Sequence, residues 1–292
     1  MTLLDISFSG AEYHTFLSFS NQPLQRQWPL VIHQTGYPTE GQLDMNPPIR
    51  RCILAVFAHP DDETSSSAGT FAKYAREGVE IQVVTATRGE LGELGTGGLS
   101  IEREDLPAVR EAELRATLEL YGAKPPIILD YRDQELIAAD FETLTQDVLR
   151  TMASAKPDVV ITFGPSGISN HDDHKTIHRA ATEAFHRYRQ TAPREPRLYY
   201  VALPQEIATQ FELDLHPSEM NLSVCIDIAD VKPIKLAGLR TYRSQADAQQ
   251  LADLLESDQF SWEWYSQAHP VASPDAPPAT GFWHDPILSA PQ

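Results

Sequence analysis

Residues 52–63 read CILAVFAHPDDE, and the fold turns on this stretch. Its first seven residues, Cys52–Ala58, are apolar without alternation. That is the mark of a short strand buried on both faces, as in a parallel sheet covered by helices on each side. Its last five, His59-Pro60-Asp61-Asp62-Glu63, gather polar and constrained groups where the strand must end. A strand-to-helix turn needs one capping side chain, so five such residues exceed what folding asks for.

Outward from this stretch, strand and helix patterns alternate. Thr64–Glu77 has helical character and stops at Gly78, Glu80–Thr87 is the next strand, and Leu106–Tyr121 carries apolar residues at helical spacing before Gly122. Short strands are expected at Pro126–Leu129, Pro157–Phe163, Leu198–Leu203 and Leu222–Ile228. Helices are expected at Phe141–Ala155, Asp172–Tyr188 and Val231–Arg243. The order predicts an α/β fold, a Rossmann-like three-layer α/β/α sandwich with a mostly parallel sheet. Ligands in such sheets bind beyond the carboxyl ends of the strands. No G-x-G-x-x-G follows the first strand, which disfavours a dinucleotide.

Residues 1–49 are aperiodic and read as an N-terminal extension or arm. Residues 50–265 form the expected catalytic domain, and 266–292, rich in Pro and Ala, read as a C-terminal tail or surface strap.

A second cluster, Asn170-His171-Asp172-Asp173-His174, follows the strand PDVVITF and the turn Gly164-Pro165-Ser166-Gly167. Two His/Asp clusters at the same sheet edge reinforce each other. His59 and Asp62 can converge across their turn as an imidazole–carboxylate pair of metal ligands, and Asp61 beside them is a candidate base. His174-Lys175-Thr176-Ile177-His178 imitates the zincin spacing, but Lys175 stands where that helix needs its Glu. His178 therefore reads as a residue supporting the site from behind or lying on the helix face, with metal contact the lesser alternative, while His186, His216, His269 and His284 read as structural or solvent-facing.

Composition narrows the partners. With 41 acidic against 23 basic residues the net charge is −18, which repels phosphate backbones and anionic membranes. Nucleic acid and membrane insertion are thus not expected, and self-association stays open. The two cysteines, Cys52 and Cys225, read as buried free thiols in a reducing cytoplasmic compartment, and the start of the chain lacks the pattern of a signal peptide.

The A-H-P-D-D-E block, Thr87-Arg88-Gly89-Glu90-Leu91-Gly92, Val109-Arg110-Glu111-Ala112-Glu113 and the G-P-x-G…H-x-D-H block together resemble the LmbE-like, or PIG-L-type, N-deacetylases. The resemblance runs from about residue 52 to 245. It implies one zinc ion on His59, Asp62 and His174, with Fe2+ or another divalent ion as a substitute. It further implies Asp61 as general base, His171 stabilising the tetrahedral intermediate, and Asp173 tuning His171 and keeping it charged. The implied substrate is a small N-acylated amino sugar. Asp172 replaces the family's Pro, and Ser169 stands where some members carry a mobile Tyr. Arg88 and Arg110 are candidate substrate contacts, with ion pairs to Glu90 or Glu113 as the structural reading. Two rival readings remain: a metal phosphoesterase, which would want a second ion, and a binding module with a purely structural metal.

Overall fold

A computed structural model of the chain describes residues 50–256, 260–273 and 276–283. The expected arm at 1–49 and His284 lie outside these residues. β1 (Cys52–Phe57) is buried along its whole length, as its unbroken apolar sequence requires. It pairs in parallel with β2 (Glu80–Thr87) on one side and β4 (Val159–Thr162) on the other. β3 (Ile127–Tyr131) extends the sheet beyond β2, and β5 (Arg197–Ala202) beyond β4, both in parallel. β7 (Trp262–His269) then runs antiparallel to β5, and β6 (Val224–Asp227) antiparallel to β7. The order is β3-β2-β1-β4-β5-β7-β6, so the sheet is mostly parallel, as expected.

The helices form two layers. α1 (Asp62–Arg76), α2 (Leu106–Tyr121), α6 (Lys232–Thr241) and α7 (Ala246–Leu255) pack together on one face. α3 (Phe141–Ala155) and α4 (Asp172–Tyr188) pack on each other and on β1 on the other face. A short α5 (Gln205–Gln210) follows β5. The core between the layers holds Phe57, Phe71, Phe163, Phe185 and Tyr265, each essentially unexposed. Burying side chains of this size typically contributes about 1.5–3 kcal/mol apiece.

Chain order reverses between β1 and β4: β2 and β3 lie to one side, β4 and β5 to the other. Both His/Asp clusters therefore emerge at the crevice where such sheets bind ligands. The expected domain boundary at 265 falls inside β7, so Ser266–His269 belong to the sheet rather than to a tail. Phe282, further along, is fully buried against Tyr74 and Tyr199. Sequence patterning missed β7 because WEWYSQAH mixes aromatic and polar residues without a clean period.

Candidate metal centre and its surroundings

α1 begins in an unusual way. Its cap residue Asp61 has φ 102°, in the left-handed region that costs a non-glycine residue about 1–3 kcal/mol. The conformation is held by Glu63, whose Oε2 accepts the Asp61 backbone N–H at 2.9 Å. Glu63 is itself fully buried, with Tyr242 Oη donating to Oε1 at 2.7 Å. The result turns the Asp61 and Asp62 carboxylates in different directions.

Asp62 Oδ2 accepts the backbone N–H of His59 at 2.7 Å and of Ala58 at 3.1 Å, which locks the carboxylate against the end of β1. Its Oδ1 is buried and makes no hydrogen bond, yet stands 3.3 Å from His174 Nε2. His174 comes from the first turn of α4, and its Nδ1–H donates to the Gly167 carbonyl at 2.9 Å, with Ser169 Oγ at 3.1 Å. That bond fixes the tautomer, leaving the lone pair on Nε2. His59 is fixed in the opposite sense. Its Nε2 faces Asp133 Oδ1 at 3.1 Å and Asp173 Oδ2 at 3.2 Å, so the proton sits there and Nδ1 carries the lone pair.

His59 Nδ1 and His174 Nε2 then face each other at 3.2 Å, with Asp62 Oδ1 3.3 Å from His174 Nε2 and Asp62 Oδ2 3.6 Å from His59 Nδ1. His171 also brings a ring nitrogen within 4.8 Å of the other two imidazoles, and Asp133 and Asp173 stand equally close to His59. Three electron-pair donors cannot converge in a buried site without a cation or a shared proton among them. Two imidazoles and a carboxylate, each held from behind by a hydrogen bond, are a donor set suited to zinc, so the residues fit the ion that the sequence implied. Burial disfavours charge on His59, but Asp133 and Asp173 outweigh it and raise its pKa to about 10, so the cluster favours one positive charge, a shared proton or a cation, between Nδ1 and His174 Nε2. Burial likewise opposes the charge on Asp62, and the neighbouring His174 and His59 overcome it, lowering its pKa to about 2.

His171 is the third imidazole of the cluster, 5.0 Å from the His59 ring and 5.1 Å from the His174 ring between centroids. The expectation that the Asp173 carboxylate backs His171 and keeps it charged is not met. That carboxylate goes to His59 and to the backbone N–H groups of Gln134 and Leu136, at 2.7 and 3.0 Å. Asp173 meets His171 only through its backbone N–H, which donates to His171 Nδ1 at 3.1 Å as a helix cap. Burial and the neighbouring imidazoles depress the His171 pKa to about 4, so the ring is neutral with its proton on Nε2.

The two arginines are placed differently from each other and from expectation. Arg110 is buried at 1% exposure, too deep for a substrate contact. Its Nη2 pairs with Asp61 Oδ2 at 2.7 Å and reaches the Pro60 carbonyl, and its Nη1 donates to Gly89 O at 3.0 Å. Gly89 and Gly92 make room for it, since a Cβ on either would lie within 2.7 Å of Nη1. Burial pushes the Asp61 pKa well up, and the Arg110 guanidinium pulls it back. Arg88 is half-exposed and ion-paired to Asp130 at 2.6 Å and to Glu111. The expected partners Glu90 and Glu113 go elsewhere: Glu90 accepts the Asp133 backbone N–H, and Glu113 accepts from Ser244.

Asp133 was missed. It follows β3 as a single Asp in YRDQ, and only the fold brings it to His59. His178 is buried on α4, with its Nδ1 on the Phe163 carbonyl at 2.8 Å and its ring edge-on to Tyr200. Cys52 and Cys225 are free thiols, Cys52 buried and Cys225 partly so. Among the described residues no helix is long and apolar enough to cross a membrane.

Residues 54–185 match the family described as GlcNAc-PI de-N-acetylase, PIG-L. A protein of Bacillus anthracis named probable N-acetyl-alpha-D-glucosaminyl L-malate deacetylase 2 is 32% identical over 200 residues, covering 67% of this chain and 81% of that protein. The 1D-myo-inositol 2-acetamido-2-deoxy-alpha-D-glucopyranoside deacetylase of Rhodococcus erythropolis is 36% identical over 152 residues, or 45% of this chain. The match spans about half, 52%, of that relative's length. In fold, the N,N'-diacetylchitobiose deacetylase of Pyrococcus horikoshii superposes with a TM-score of 0.59 at 22% identity, over 75% of this chain and 84% of that one. The 4-carboxy-2-hydroxymuconate hydratase of Pseudomonas putida KT2440 does so with the same TM-score, 0.59, at 21% identity, over 76% and 98%. These two likenesses concern the fold alone. The chain belongs to the PIG-L, or LmbE-like, family.

Proposed function

We propose that this member of the PIG-L family is a zinc-dependent hydrolase that removes an acetyl group from the nitrogen of a small amino sugar or its glycoside. The approach of His59 Nδ1 to His174 Nε2, with the Asp62 carboxylate against both rings and the buried carboxylate of Asp61 next in the chain, carries the reading. His59, Asp62 and His174 would hold the ion, and Fe2+ suits the same donors. When bound, the ion supplies a Lewis acid that polarises the amide carbonyl and acidifies water.

The chain's own groups do the rest. Asp61 is held by Arg110 through Oδ2, and we assign Oδ1 as the oxygen that takes the proton of the attacking water. Burial raises its pKa, which makes its carboxylate a stronger base than an exposed one. The neutral His171 offers Nε2–H to the amide oxygen as charge builds there, a donation typically worth about 2.7–4 kcal/mol. Asp61, having taken the proton of the water, carries one to pass to the departing amine, whereas the Nε2–H of a neutral imidazole is too weak an acid to supply it. Asp133 and Asp173 keep His59 in its tautomer.

The relatives' printed substrates, acetylated glucosamine linked to inositol or malate, support a small polar substrate. The net charge of −18 argues against a substrate held at an anionic membrane. The free thiols support a cytoplasmic setting. The test is metal analysis of purified protein, with amine release measured from N-acetylglucosamine, its disaccharides, its inositol and malate glycosides, and phosphate monoesters. One ion per chain and free amine are expected, whereas phosphate release without amine would refute the reading. Asp61→Asn should keep the ion and lose at least about 100-fold in turnover. Loss of the ion in that variant would exchange the roles of the two aspartates.

A further inference from the structure

The carboxyl edge of the sheet holds a second concavity that the chemistry above leaves unused. It is a cavity of about 160 Å³ over the ends of β4 and β5, walled by Phe163, Ile168, Leu203, Phe211, Leu254 and Trp264. Two of these walls adjoin the metal centre. The Phe163 ring stacks on the His174 ring, 4.1 Å between centroids and 12° between planes. Ile168 sits between Gly167 and Ser169, both of which meet His174 Nδ1.

The charged side chains at its border, Lys235 and Glu263, pair with each other at 2.7 Å. Lys235 also donates to the Ser65 carbonyl at 2.8 Å, and Glu263 accepts the N–H groups of Gly69 and Thr70 at 3.0 and 2.7 Å. Neither asks a ligand for a counter-charge. An engineered cavity of about 150 Å³ lined by Leu, Ile and Phe in another protein stays dry and takes up benzene. A sugar ring in such a lining would leave its hydroxyls unpaired.

We infer that this pocket receives an apolar group of about six carbons carried by the substrate while its amide lies at the metal centre. The inference rests on the amidohydrolase reading. The group could be the acyl chain or an apolar aglycone, and two substrate series separate them. One runs from N-acetyl- to N-octanoylglucosamine, the other from methyl to octyl N-acetylglucosaminide. In one series kcat/KM should rise about fourfold per methylene up to roughly six carbons and then level or fall. Leu254→Trp should flatten that rise, with Ile207→Trp, at another lining residue, as the replacement if the first variant fails to fold. Benzene near saturation should raise the Tm of the unaltered chain and not of the Trp variant, whether or not any amide is cleaved. Absence of a benzene shift would overturn the pocket. Flat profiles in both series, with N-acetylglucosamine cleaved, would overturn its use by substrate. No amine from any compound would instead sink the amidohydrolase reading, and the benzene shift would then decide the pocket alone.

Discussion

Arg110→Met removes the cation that faces Asp61 in a site where neither side chain exceeds 3% exposure. The substitution keeps most of the volume but leaves the Asp61 carboxylate without its partner, and the Pro60 and Gly89 carbonyls without their donor. Breaking a buried pair from one side typically costs about 3–5 kcal/mol. For a domain of this size each kcal/mol lowers Tm by about 2–4 °C, so a drop of roughly 6–20 °C is expected. Asp61→Asn leaves an oxygen for Arg110 and should cost less. In the double variant the buried charge is gone from both sides, so the losses should fall short of their sum by roughly 0.5–3 kcal/mol. Urea unfolding of the four proteins, followed by tryptophan fluorescence and circular dichroism together, measures the cycle. A loss under about 1 kcal/mol for Arg110→Met, or strict additivity with Asp61→Asn, would refute the view that this pair positions the base.

Asp133→Ala removes one of two acceptors for His59 Nε2–H, and zinc affinity measured by chelator competition should fall about tenfold, the low end for such supporting groups, because Asp173 remains. Gly89→Ala places a methyl 2.1 Å from Arg110 Nη1 at φ +63°, so it should lose activity and more stability than the roughly 1–2 kcal/mol of the left-handed backbone alone. Gly97→Ala, at φ +57° with nothing within 4 Å, should show only that backbone cost. Burial, with Glu80 and Asp158 nearby, pushes the Cys52 thiol up to about 12, so it should stay silent to a thiol reagent at pH 8 until the chain is unfolded. Rapid labelling of Cys52 in the folded protein would contradict its placement.

The parts legible in the sequence were those written in contiguous residues. The apolar run of β1, the helical spacing of α2 and α4, and both His/Asp clusters each sit within one local window. What stayed illegible depends on chain brought in from far away. Asp133 reaches His59 from 74 positions along the sequence, and Arg110 reaches Asp61 across |i−j| = 49. The side chain of Asp173 illustrates the limit within a motif. Its position beside His171 suggested a bond between them, but the first turn of α4 gives His171 the backbone N–H and sends the carboxylate to His59. Adjacency in sequence fixed who was near, while helix geometry chose which atoms met.

β7 imposes a timetable on assembly. Among the described residues β6 pairs within the sheet with β7, and its other side meets Ala279, so its strand partners are made after residue 261. During synthesis, at about 5–20 residues per second, β1 through β5 can associate while β6 waits for several seconds with both edges bare. Until then the open edge of β5 is available to any passing strand, including one from another copy. Slowing the emergence of β7 should therefore trade native protein for aggregate, even though every ligand of the proposed metal centre has long since left the ribosome.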